Sequence, residues 1–430
     1  MSLFNQSISS ADRKRLAKAY RRSAAGAPPK IKDEDLIAGL VFHVCQPSGV
    51  LSDHILQLTN KNCSDSSLSE RRQTMNWPLW EALVSKASGP LAQKTQHPSA
   101  FYKGWRLIGI DGSTWNVANT PPIKKKAKKT KSRRRTAAFH RLTGAVLYEL
   151  GLHNPIAARF GLNGEAELPL ATELWPLLQK DWLLIGDRYY GVGKVAGILS
   201  RLENKPAFLL RIRKNLKAKT VQVLRDGSAL IEVTDPETDK KLLLREIRAR
   251  VRRRSGQWVN IRLWTSLLDD KAYPARELVQ LYAMRWEQEI AFKELKIDLK
   301  RESLLLSHTL CTAAQEVAAL LIAQAIIVRA RLAASDFGSV PILQISFIKT
   351  LQAFRSVWMT FALIDDLLPK RAHQVYISRV LQMLVDQQSL PRRPRSCPRA
   401  VRQPVCSWPR LLRNSSSSGR FSYKITPIKP

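Results

Sequence analysis

The chain has 430 residues, 44% of them hydrophobic, so it can bury a large core and exceeds one average domain. Seventy Lys and Arg against 35 Asp and Glu leave a net charge of +35, which attracts polyanions and singles out nucleic acid as partner. Eleven Trp speak for a packed core rather than a histone-like chain, and five scattered Cys without a C-x-x-C pair offer neither a disulfide framework nor a zinc site.

The opening MSLFNQSISSADRKRLAKAYRRS lacks the apolar stretch of a secretion signal, and a cytoplasmic location is expected. Residues 1–100 read as helical, with a basic segment at Ala11–Arg22, an apolar one at Asp33–Val44, and Ser64–Lys86 carrying Leu68, Met75, Trp80 and Leu83. Such a region suits a helical module resting on phosphates or a bundle packed on the next domain. No helix-turn-helix is spelled out.

From Trp105 the texture changes. WRLIGI is a short apolar run that ends at Asp111-Gly112-Ser113, the pattern of a buried strand emptying into a turn. Ala137–Leu152 has strand character in two pieces around Gly144, and Gly164–Gln179 reads as a helix. WLLIG at Trp182–Gly186 repeats the first pattern and ends at Asp187; a helix at Val192–Leu202 and a strand at Ala207–Ile212 follow. This order predicts an α/β core with a mixed sheet.

Residues 218–265 look β-rich, with strands at Thr220–Val223, Ala229–Val233, Leu242–Ala249 and Trp258–Trp264 and turns at Asp226-Gly227 and Ser255-Gly256. Long helices are expected at Ala275–Arg301 and Thr312–Ala334. Val317–Ala334 is the most apolar stretch, but Gln324, Arg329 and Arg331 interrupt it, which favours a buried helix over a membrane span. The 40 residues from Pro391 hold ten Lys/Arg and no acid, the composition of a flexible basic tail. The expected division is 1–100 helical and DNA-binding, 101–217 with 266–345 catalytic, 218–265 a β-rich insertion, and 346–430 a helical region plus tail.

Asp111 and Asp187 each follow an apolar run and precede a turn. Adjacent strands would bring both to one sheet edge, where two acids repel unless a cation sits between them; two turn-forming Asp residues would look the same. In YAMRWEQEIAFKELK, Tyr282, Arg285, Glu289 and Lys296 stand at offsets 0, 3, 7 and 14, within roughly a 60° wedge of a helix at about 100° per residue. Leu281, Phe292, Leu295 and Leu299 line the neighbouring face. A surface helix with a salt-bridging Arg285–Glu289 pair gives the same spacing.

The pattern Y-x2-R-x3-E-x6-K resembles the signature of bacterial insertion-sequence transposases of the insertion-sequence-four type. IDGST at Ile110–Thr114, LIGDRYY at Leu184–Tyr190 and WTSLLD at Trp264–Asp269 with Tyr273-Pro274 and Leu278 are similar to further segments of that family, in order, over residues 105–305. The resemblance implies an RNase H-like catalytic domain in which Asp111, Asp187 and Glu289 hold two Mg²⁺ or Mn²⁺ ions for DNA cleavage and strand transfer. It implies that Tyr282, Arg285 and Lys296 contact phosphates, on double-stranded DNA bound by a homodimer, with no membrane involved. Glu287 points about 160° away from Glu289 and is set aside, as are Glu294 and Asp298. The run Lys124–Arg135, with nine basic residues including Lys124, Lys125, Lys126, Arg133, Arg134 and Arg135, is read as a DNA-backbone contact, with a solvated charged loop as the other reading. Trp258 and Trp264 are candidates for stacking on an extruded base, with core packing as the other explanation. A nuclease without strand transfer and a non-catalytic DNA-binding relative remain alternatives.

Overall fold

The computed structural model describes residues 8–20, 30–129, 137–213, 215–252, 258–299, 304–364, 367–389, 400–402, 409–411 and 422–426. Five helices, α1 (Ser10–Ala19), α2 (Asp33–Cys45), α3 (Leu51–Thr59), α4 (Asp65–Thr74) and α5 (Trp77–Ala87), precede β1 (Phe101–Tyr102) and the long β2 (Trp105–Val117). Then come α6 (Pro121–Lys126), β3 (His140–Glu149), β4 (Asn154–Phe160), α7 (Glu167–Thr172), β5 (Trp182–Gly186), α8 (Gly193–Arg201) and β6 (Ala207–Arg211). Four strands follow: β7 (Lys219–Val223), β8 (Ala229–Thr234), β9 (Lys241–Arg252) and β10 (Trp258–Thr265). Next are α9 (Ala275–Leu281), a 3-10 turn at Tyr282–Met284, α10 (Arg285–Lys293) and a π-helical stretch at Glu294–Leu299. The described elements end with β11 (Leu304–Leu305), α11 (Leu310–Gly338), α12 (Phe347–Ile364), α13 (Lys370–Asp386), β12 (Ala400–Arg402), β13 (Pro409–Leu411) and β14 (Ser422–Ile425).

These elements fall into two units, Met1–Phe101, Ile108–Trp175 and Trp286–Gln388 forming the first, and Tyr102–Leu107, Pro176–Arg285 and Ser389–Pro430 the second. In the first unit β2 pairs antiparallel with β3 from Ile108 opposite Glu149 to Val117 opposite His140, β3 pairs antiparallel with β4, and β11 runs parallel to β2. β3 is one strand where two pieces are expected. At Gly144 a Cβ would stand 2.7 Å from the Phe160 ring, so the glycine lets that ring lie over the strand without interrupting it.

The hub of this unit is α11, which starts at a Thr309–Thr312 capping box. It is long and apolar enough to cross a membrane, but most of its apolar window is buried inside the protein. Its polar residues find partners, as burial requires. Gln324 accepts from the Tyr148 hydroxyl at 2.9 Å and donates to Ala291 O at 3.0 Å, Gln315 donates to Arg72 O and Met75 O, and Arg329 donates to Ala87 O. In the N-terminal region, the single helix expected over Ser64–Lys86 is two. The Asn76 side chain accepts the Leu79 N–H at 3.3 Å and Pro78 stands in the first turn, so a new helix begins there.

In the second unit β5 and β6 are parallel around α8, and β6 pairs antiparallel with β10. β10, β9, β8 and β7 continue antiparallel, so the β-rich segment extends the sheet of this unit. The Ser255-Gly256 turn lies outside the described residues. Part of the basic tail is ordered, contrary to expectation: β14 adds to the β9 edge beyond β8, with Ser422 opposite Arg252. Backbone hydrogen bonding to a free strand edge organises that segment despite its charge.

Each unit carries a mixed sheet with helices around it. The chain is therefore α/β, and its antiparallel meander followed by a parallel strand–helix–strand unit is consistent with an RNase H-like fold.

The buried Arg245 secures the second unit. Its Nε donates to Ser228 Oγ at 2.8 Å, Nη1 to Tyr273 O at 2.7 Å, and Nη2 pairs with Asp226. Asp226 also accepts the Ala275 N–H at 2.7 Å, which ties the β7–β8 turn to the start of α9. Burial works against the Asp226 carboxylate, but Ser228, the Ala275 N–H and Arg245 outweigh it and hold its pKa below the usual range. Asp226→Asn should cost about 3–5 kcal/mol, because it leaves Arg245 buried beside a neutral partner. The wild-type contribution is present above the unfolded carboxylate pKa of about 3.9 and is lost as pH falls through the lower folded value. Urea unfolding of the two proteins at neutral and acid pH measures both effects.

Candidate active site

Contrary to expectation, Asp111 does not end its strand in a turn. Pairing with β3 carries β2 on to Val117, and Asp111 sits inside it, where burial passes from Leu107–Ile110 to half-exposed Asp111-Gly112-Ser113. Strand alternation puts Gly109, Asp111 and Ser113 on one face. The helix that carries Glu289 lies against this face. A Cβ at Gly109 would stand 2.0 Å from Gln288 Oε1 and 2.6 Å from a Leu150 methyl, so only glycine permits the approach. Gln288 Nε2 donates to Val146 O at 3.1 Å, and Val146 is the β3 residue opposite Asp111. Eight residues on, Lys296 Nζ donates to Ser113 Oγ at 3.1 Å and Thr114 O at 2.8 Å and lies 5.5 Å from the Trp115 ring centre. The helix is thus fastened at two points, to β3 opposite Asp111 through Gln288 and to β2 beyond Asp111 through Lys296, with Glu289 next to the first. Asp111 Oδ1 itself accepts the Gly112 N–H at 2.9 Å.

The residues of the Y-x2-R-x3-E-x6-K pattern do not share one regular helix. Tyr282 is in the 3-10 turn, Arg285 opens α10, Glu289 is within it, and Lys296 is in the π-helical stretch. Tyr282 and Arg285 belong to the second unit, Glu289 and Lys296 to the first. The constant 100° step therefore does not apply across the segment, and the 60° wedge is lost. Burial, then the nearby Arg141, lowers the Lys296 pKa.

Asp187 follows the fully buried β5 and opens a turn in which its Oδ1 accepts the Tyr189 N–H at 2.7 Å and its carbonyl accepts the Gly191 N–H at 3.0 Å. Gly191 is required there, since a Cβ would lie 1.8 Å from Arg211 O. The Tyr282 side chain is buried close by. Burial pushes its hydroxyl up to about 12; the Asp187 charge adds to the rise, while Arg285 and Arg211 oppose it. The structure therefore gathers Asp187, Tyr282, Arg285 and Arg211. Arg211 is not among the residues expected from sequence; a single Arg ending an apolar strand carries no local signal.

Among the described residues no three His, Cys, Asp or Glu side chains are gathered closely enough to hold a metal ion. The chemistry of the three expected ligands, all carboxylate oxygens, does suit Mg²⁺ or Mn²⁺. Lys124, Lys125 and Lys126 are exposed on α6, anchored by buried Ile123. Arg133, Arg134 and Arg135 lie outside the described residues. Trp264 is fully buried and donates to Glu246 Oε2 at 2.8 Å, so it is core. Trp258 is 37% exposed and stacks with Arg250 at 5.5 Å.

The family model for the transposase DDE domain matches residues 104–326, a span that includes Asp111, Asp187, Glu289 and Lys296. Over 245 residues the chain is 26% identical to the transposase InsG for insertion sequence element IS4 of Escherichia coli strain K12. That alignment covers 56% of this chain and 55% of the relative, so the chain spans about half the length of the curated relative it matches. Among solved structures, a piggyBac transposase synaptic complex with hairpin DNA matches with a TM-score of 0.44 and 11% identity, over 91% of this chain and 85% of that one.

Gly109→Ala tests the close approach of helix and strand. The added methyl must displace buried Gln288, and overpacking of this kind costs about 1–3 kcal/mol. Chemical denaturation that finds the variant as stable as the parent would show that helix and strand do not meet there.

Proposed function

Because the chain belongs to the transposase DDE-domain family, we propose that it cleaves DNA at the ends of an insertion sequence and joins the 3′ ends to target DNA, with Asp111, Asp187 and Glu289 as its catalytic carboxylates. The observation that carries this reading is the family match across residues 104–326, which takes in all three acids. Two divalent ions, Mg²⁺ or Mn²⁺, would be held by these carboxylates. When bound, they supply Lewis-acid stabilisation and activation of the attacking oxygen for an in-line phosphodiester displacement.

The chain's own residues have separable tasks. Arg285 and Arg211 place positive charge beside Asp187 and Tyr282, where a phosphate can be gripped bidentately. The Tyr282 hydroxyl is buried beside Arg211, and with its pKa pushed up to about 12 it stays protonated at neutral pH. Lys296 is bonded to Ser113 and Thr114 and so steadies the strand segment beyond Asp111. The exposed Lys124, Lys125 and Lys126 reach DNA backbone at the periphery. The partner is double-stranded DNA, both element ends and target, engaged by a homodimer.

Two experiments examine this reading, with a labelled duplex made from the sequence flanking the gene as probe. Glu289→Ala should abolish Mg²⁺-dependent cleavage while leaving duplex affinity within a few-fold, and a variant that still cuts removes Glu289 from the assignment. Strand-joined products from the parent protein separate a transposase from a pure nuclease. Replacing Lys124, Lys125 and Lys126 together by Ala should flatten the plot of log affinity against log salt by about 0.9 for each phosphate that is no longer neutralised. An unchanged slope takes α6 out of the interface.

A further inference from the structure

The β3–β4 hairpin turn is buried rather than exposed. Leu150, Gly151, Leu152 and His153 are all inside, and the flanking Glu149 and Asn154 are bonded to the backbone of residues 89–92. His153 has no solvent exposure and a left-handed φ of 58°. Its Nε2 lies 2.8 Å from Glu287 Oε2 and its Nδ1 lies 3.0 Å from Glu294 Oε2. Glu294 Oε1 is in turn 3.3 Å from Arg331 Nη1, and Arg331 donates from Nε to Ile345 O and from Nη2 to Ile342 O. Two carboxylates thus face Arg331 and both ring nitrogens of His153, an arrangement that favours the protonated ring.

The placement of this set bears on the catalytic helix. Glu287 and Glu294 are seven residues apart, about 10.5 Å of regular α-helix. Both reach the same ring, that of His153, and the interval between them contains the junction where α-helix becomes π-helix. One imidazole ring grips both sides of that junction. Glu289 lies between the two gripped residues, and Lys296 lies two residues beyond the second.

We propose that His153 is a positioning residue for the catalytic helix: bridging Glu287 and Glu294, it fixes the α-to-π junction and so keeps Glu289 and Lys296 in register with the Asp111 strand. Burial opposes the imidazolium, but Glu294 and Glu287 outweigh it and raise its pKa above the ordinary histidine value, with Arg331 pulling the other way. This inference rests on the proposed transposase chemistry.

The test is His153→Gly with chemical rescue. Glycine accepts the left-handed backbone without strain and leaves a ring-sized cavity. On the flanking-sequence duplex with Mg²⁺, which imidazole ligates poorly, cleavage should fall about 10- to 100-fold, as for groups that orient a ligand from behind. Duplex affinity should change little. Added imidazole should restore the rate, whereas pyrazole, which has the ring shape without the basicity, should not. Wild-type cleavage by His153→Gly, a loss matched by an equal loss of affinity, or equal rescue by both rings would overturn the proposal. If His153→Gly does not fold, Glu287→Gln decides the matter: it keeps an acceptor for Nε2 but removes the charge. A several-fold fall in cleavage at unchanged affinity supports the proposal, and no fall overturns it. A parent protein that never cuts with Mg²⁺ would instead sink the transposase chemistry beneath it.

Discussion

A carboxylate on a helix can work beside a carboxylate on a strand only if the two backbones approach closely and stay there. In the first unit this approach is made possible by the absence of a side chain at Gly109, over which Gln288 lies. The Gln288 amide then takes the carbonyl opposite Asp111, and Lys296 takes Ser113 and Thr114 on the far side. Two fastenings, one on β3 opposite Asp111 and one on β2 beyond it, restrict sliding and tilting together. The positions of Asp111 and Glu289 are set by these neighbouring contacts.

The helix needs equal support on its other side, and that support is polar. His153, Glu287, Glu294 and Arg331 form a closed charge set, and Gln324 links Tyr148 on β3 to Ala291 on α10. Buried groups of this type add little net stability, but each defines one geometry, since any shift leaves a charge or donor unpaired. The second unit uses the same means. Arg245 joins Asp226, Ser228 and Tyr273, while Glu246 gathers Trp264, Arg248 and Arg262 around the centre of β9 and β10. In both units charges under the surface are held in fixed pairings, whereas Lys124, Lys125 and Lys126 of α6 are exposed.

The +35 charge also bears on the acids themselves. Among so many cations a carboxylate is readily neutralised by a neighbour, as Asp226 and Glu246 are. Around Asp187, two cations, Arg285 and Arg211, share the surroundings with a buried tyrosine.

Much of this was legible in the sequence by itself. The four strands of residues 219–265 and β5 with Asp187 at its end follow from apolar runs and turn residues, which are local properties. The continuation of β2 past Asp111 to Val117 does not, because Asp111-Gly112-Ser113 reads locally as a turn. Family membership was legible for a related reason: the spacing of Tyr282, Arg285, Glu289 and Lys296 is a pattern of letters and needs no coordinates. Only tertiary structure decided what that spacing means. The 3-10 turn and the π-helical stretch break the even helical step because Tyr282 is drawn into the core beside Asp187 and Lys296 is drawn onto β2. Likewise the pairing of Glu287 with Glu294 shows only once His153, in the hairpin turn from residue 150 onward, is seen to lie between them. Periodicity records which residues are neighbours along the chain; hydrogen bonds between segments more than a hundred residues apart are outside its reach.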